Sequence, residues 1–101
     1  MTVEDKIHAH AEEIEHLRVK SGALSISAYV RNVKDQVEPV FVVDFDTSKL
    51  SGYSDRYFEM MFGLQRIFLR PVDLWEKHMF EEQSRMHDLR QVSLSVFRAT
   101  A

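Results

Sequence analysis

The sequence predicts an α+β fold: a small antiparallel three-stranded sheet with three helices packed mainly on one face, in the order helix, strand, strand, helix, helix, strand. Three observations carry that expectation. Apolar residues between positions 3 and 17 recur at helical spacing, residues 24 to 31 alternate as a half-buried strand does, and residues 55 to 69 hold more apolar side chains than one helix face needs.

The first helix is built on Val3, Ile7, Ile14 and Leu17, with His10 in the remaining place of the stripe. Thr2 is suited to cap its first turn and Asp5 to reach back in a variant capping box, while Arg18 and Lys20 complement the negative C-terminal end. Gly22 ends it. From there Leu24, Ile26, Ala28 and Val30 alternate with Ser25, Ser27, Tyr29 and Arg31, which sets the first strand. A polar stretch from Asn32 to Gln36 turns the chain into a second strand, Val40 to Asp46, with Pro39 at its entry, and the two form an antiparallel hairpin.

Residues 47 to 54 are rich in serine and contain Gly52, so they read as a loop whose Ser54 caps a second helix running from Asp55 to about Leu69. Its polar stripe is narrow, Glu59, Gly63, Arg66 and Arg70, so burial on more than one side is expected. Arg70 before Pro71 marks a break, and Pro71 suits the first turn of a third helix running to about Leu89. Trp75, Met79, Met86 and Leu89 mark the inner side of that helix, with Glu82 interrupting it. Val92 to Val96 alternates again and is read as the third strand.

Composition bounds the function. The chain has 101 residues, enough for one hydrophobic core, and residues 1 to 101 are read as a single domain. Hydrophobic residues make up 45% and charged residues 29%, which places the chain among folded proteins and not disordered ones. The net charge of -3 comes from 13 basic and 16 acidic residues with neither sign gathered into a block, which disfavours a nucleic-acid partner. Without cysteine there is no disulfide or thiolate chemistry, which fits a reducing compartment and a cytoplasmic location. The acidic start is unlike a basic targeting leader. Apolar runs fall far short of the roughly 20 residues that cross a bilayer, so no membrane association is expected.

Several side chains carry chemistry. Asp44 and Asp46 are two apart on a strand, so they share a face and form the candidate metal site, since divalent cations such as magnesium take oxygen ligands of this kind. No Gly-rich phosphate loop accompanies them, and solvated carboxylates at a strand end are the simpler reading. His8, His10 and His16 lie on the first helix, His78 and His87 on the third. Glu13 and His16 make one Glu-x-x-His pair, where di-iron bundles use two, and His8 with Glu12 and His16 forms at most a surface zinc site. His10 sits in the apolar stripe, and burial in its neutral form would make it pH-sensitive near its reference pKa of about 6.5. A histidine satisfied by one hydrogen bond at the edge of the core is the simpler expectation. No serine-nucleophile elbow is present.

Tyr29 and Arg31, with Phe97 and Arg98, would be the stacking groups of a single-stranded nucleic-acid surface, a reading that the acidic charge disfavours. The apolar surplus of the second helix supports a different function. Phe58, Met61, Phe62 and Phe68, joined by Trp75 and Met79, are the expected partner-binding residues of a non-enzymatic protein-binding or regulatory domain that pairs as a homodimer. The competing reading is a metal-dependent phosphoryl-transfer enzyme centred on Asp44 and Asp46, with Glu38 nearby. No cofactor is expected.

Overall fold

The computed structural model describes residues 2–45, 52–77, 79 and 89–92. The chain runs through α1 (Val3–Ala9), α2 (Ala11–Ser21), β1 (Ala23–Val33), β2 (Gln36–Phe45), α3 (Tyr53–Phe68), β3 (Asp73–Glu76) and β4 (Leu89–Val92). The class is α+β. Among the described residues the sheet, however, has four strands in the order β3-β2-β1-β4 and is mixed, because β1 pairs antiparallel with β2 and β4 while β2 and β3 run parallel. The expected three-stranded antiparallel sheet is therefore corrected.

At the N-terminus, the Thr2 hydroxyl accepts from the Asp5 amide and the Asp5 carboxylate accepts from the Thr2 amide, the reciprocal cap that the sequence indicated. The expected single helix divides at His10, which ends α1 and begins α2. Ile7, Ala11 and Ile14 fill the inner face, and Gly22 closes α2 at φ 75°, a conformation that favours glycine. Arg18 ties α2 to the sheet by donating from Nη1 to the Ala23 carbonyl at 2.9 Å, while Glu15 grips the same guanidinium.

The hairpin turns at Lys34 and Asp35, both with positive φ, as a two-residue turn matched to the twist of its strands requires. Ala28 and Val30 are buried and Ile26 packs against the core, as alternation demands, but Leu24 is 59% exposed. The register slips between Ala23 and Ser25, so Ala23 takes the inward place expected of Leu24. β2 is central, and Val40, Phe41, Val42 and Val43 are all buried, as a strand covered on both faces reads. Pro39 lies just before the pairing with β3 begins at Val40, outside that ladder.

α3 begins after Gly52, at φ 76° and without a side-chain cap, so the expected capping by Ser54 is not found. Met60, Leu64 and Phe68 enter the core at i, i+4 and i+8 beside Ile7, Ile14, Phe41 and Val43. The helix ends at Phe68, next to the expected break, with Leu69 in the left-handed region at φ 57°. Lys6 secures this end by donating to the Phe68 carbonyl at 3.1 Å, a cation placed where the helix dipole is negative.

The largest departure follows. Where the third helix was expected, residues 73–76 form β3, because Leu74 inserts beside Phe41 on the core face while parallel pairing with β2 completes a strand, helix, strand crossover. Residues 78 and 80–88, including Glu82, Met86, His78 and His87, lie outside the described residues. The last strand also differs: β4 spans Leu89–Val92, and residues 93–96 of the expected strand lie outside the described residues. Arg90 on β4 pairs with Glu4 on α1 at 2.7 Å.

Candidate functional site

α3 divides the apolar surplus between two sides. Phe68 is core, 2% exposed, with its ring 5.5 Å from that of Phe41, and so is separate from any surface. Phe58 and Phe62, one turn apart on the outer side, are 51% and 56% exposed. Their rings stack with centroids 6.0 Å apart, and Phe58 stands edge-on to Tyr57 at 5.6 Å. Most single exposed apolar side chains need no explanation, but two adjoining phenyl rings beside a groove form a patch.

The groove has a volume of about 390 Å³ and runs between α3 and β3. Tyr57 and Met61 form one wall, and Val72, Leu74 and Trp75 form the other with Met79 at its end. The carboxylates Asp73 and Glu76 also line it. Tyr57 fixes the two elements together by donating its hydroxyl to the Leu74 carbonyl at 2.9 Å. Among the described residues β3 lies at the edge of the sheet, so this bond occupies a backbone acceptor on the kind of strand that invites pairing with another chain. Burial, followed by the negative charges of Glu76 and Asp73, pushes the Tyr57 pKa up, so the hydroxyl keeps its proton and its role as donor.

Of the expected partner-binding residues, the structure brings together Phe58, Phe62, Met61, Trp75 and Met79 along α3 and the groove. Tyr57, Asp73 and Glu76 were missed in the sequence. Tyr57 was legible as a neighbour of Met61 at i+4, but the carboxylates became groove residues only once 73–76 folded as a strand.

The remaining candidates fall elsewhere. Asp44 is half-buried on β2 opposite Ser25, and Asp46 lies outside the described residues. Among the described residues, no group of three or more His, Asp or Glu is placed to hold a metal ion. Glu38, the third carboxylate considered for that site, instead accepts from Arg31 across the strand pair at 3.2 Å. Arg31 also pairs with Asp73. Burial opposes the charge of Arg31, but the two carboxylates outweigh it and its pKa is raised. A guanidinium held by two anions is poorly placed to stack on nucleic-acid bases, and Phe97 and Arg98 lie outside the described residues.

His10 is half-buried at the α1–α2 junction, with Nδ1 2.6 Å from Glu13 and its ring edge-on to Phe68 at 6.3 Å. His8, Glu12 and His16 are exposed. A second, smaller groove of about 260 Å³ lies between α2 and α3, where His16, Lys20 and Arg66 surround Leu17, Gly63 and Ile67. Among the described residues, no helix is long and apolar enough to cross a membrane. Comparison of the chain with protein-family models, curated proteins and solved structures gives no match.

Proposed function

We propose that this chain is a non-enzymatic protein-binding domain that docks a partner on the outer side of α3, with a second copy of itself as the first such partner. The observation that carries the reading is the exposed Phe58–Phe62 stack on a helix whose inner side is already filled by Met60, Leu64 and Phe68. Covering a fully exposed phenylalanine side chain is worth about 1.5–3 kcal/mol, and these two are a little over half exposed, so their joint burial yields a comparable gain. Met61, Trp75 and Met79 extend the patch with the flexible and aromatic side chains favoured at protein interfaces.

A two-fold axis near the Phe58–Phe62 stack would place the same rings of two copies against one another, the self-complementary contact of a homodimer. Substitution separates interface from core. An anchor replaced by alanine costs on the order of 2 kcal/mol or more of association. Because Phe58 and Phe62 are exposed, the same variants retain the folding stability of the parent. Thermal unfolding and sedimentation of F58A and F62A therefore test the proposal together: lost folding with unchanged association identifies the rings as structural and ends it.

A further inference from the structure

We propose that α3 meets α3 of a second copy antiparallel, with Phe62 at the two-fold axis and Glu59 of each copy paired with Arg66 of the other. The inference rests on the self-docking reading of α3 and supplies its direction and register.

The outer side of α3 is ordered by charge along its length. Asp55 and Glu59 are exposed on the N-terminal half, Phe58 and Phe62 in the middle, and Arg66 in the last turn. Asp55 and Arg66 also complement the helix dipole, but that effect is confined to the terminal turns and does not account for Glu59. Among the described residues neither the Glu59 nor the Arg66 side chain is engaged in an ion pair or hydrogen bond.

Spacing then selects one arrangement. Glu59 and Arg66 are seven residues apart, about two turns, so they lie on the same flank of the helix. Phe62 stands between them, three residues from one and four from the other. A two-fold axis beside Phe62, perpendicular to the helix, reverses direction but keeps each flank on its own side. It therefore brings Glu59 level with Arg66 of the second copy, twice over, while the phenyl rings meet at the centre. Parallel pairing would set Glu59 level with Glu59 and Arg66 level with Arg66, which like-charge repulsion disfavours. Flanking charges set partner orientation in paired helices generally, even where each pair adds little affinity.

The surroundings of Arg66 favour an incoming carboxylate. Lys20 shares the small groove between α2 and α3 with it, and Glu13, which also lines that groove, is turned to Nδ1 of His10 at 2.6 Å. The Glu59 carboxylate of the second copy thus meets two cations at this flank.

The test is sedimentation velocity of the full chain carrying Glu59→Arg or Arg66→Glu, each alone and in equimolar mixture at the same total concentration. Each change turns both attractive pairs repulsive, so each variant alone is expected to dimerise about tenfold or more weakly than the parent. In the mixture every facing pair is again opposite in sign, so the dimer is expected to return. Circular dichroism of each variant checks that it is folded, and recovery on mixing cannot come from a misfolded chain. Variants that dimerise like the parent, or a mixture no stronger than its components, overturn the inference. Those outcomes leave the α3 reading standing if F58A and F62A still abolish the parent dimer, whereas a monomeric parent ends both.

Discussion

Leu17 of α2 occupies the space that a side chain on Gly63 of α3 would need: a Cβ at Gly63 would lie 2.6 Å from both Leu17 methyls. The glycine is what lets the two helices approach. Gly63→Ala gains helix propensity of up to about 1 kcal/mol, but it forces Leu17 or the helix pair to shift at about 1–3 kcal/mol, so net destabilisation is expected. In a Leu17→Ala background the obstruction is gone and Gly63→Ala should stabilise. Chemical denaturation of the four proteins in this cycle checks the reversal of sign.

Gly63 also shows where sequence reading stops. On a helical projection it falls between Glu59 and Arg66 and is indistinguishable from a polar-face residue, because the reason for glycine belongs to the partner helix. Leu24 carries the same lesson on the sheet. Its alternation with Ile26 and Ala28 is real, but a bulge at Ala23/Ser25 turns it outward, and no period within the strand encodes a bulge. The patterns that were legible are those satisfied locally: the Thr2–Asp5 cap, Gly22 at the end of α2, and the inward Ala28 and Val30.

β3 was not legible for a related reason. Four residues are too few to establish a period, and Pro71 fits the start of a helix as well as the entry to an edge strand. Its identity depends on pairing with β2, more than thirty residues earlier in the chain by the Val40–Asp73 register. The groove inherits this dependence, which is why the Phe and Met anchors were readable and Asp73 and Glu76 were not.

Leu69 carries a left-handed backbone on an 82% exposed side chain, a conformation that costs an L-residue roughly 1 kcal/mol relative to glycine. Leu69→Gly is expected to raise stability by up to about that amount, with no loss of the α3 cap, since the Leu69 amide still donates to the Gln65 carbonyl. Urea unfolding measures it, and a drop in stability would show that Leu69 makes contacts that its exposure does not indicate.

Tyr57→Phe removes the hydroxyl that donates to Leu74 and should cost about 1 kcal/mol at neutral pH. The pH dependence has a definite sign. The folded-state pKa is raised above the ordinary 10.0, so the contribution of Tyr57 is fully present below that value. It is lost as pH rises through the folded pKa, because there the unfolded chain binds fewer protons than the folded one. Stability curves of parent and variant should therefore converge above about pH 10 and run parallel below it. Curves that stay parallel throughout would mean that Tyr57 titrates alike in both states.

The central claim is that the outer side of α3 is a docking surface whose first partner is a second copy of the chain. Sedimentation velocity over a range of protein concentrations, comparing the parent with the F58A/F62A double variant, tests it most directly. The account predicts a concentration-dependent dimer in the parent and a folded monomer in the variant. A parent that remains monomeric at every concentration, or a dimer that survives in the variant, contradicts it.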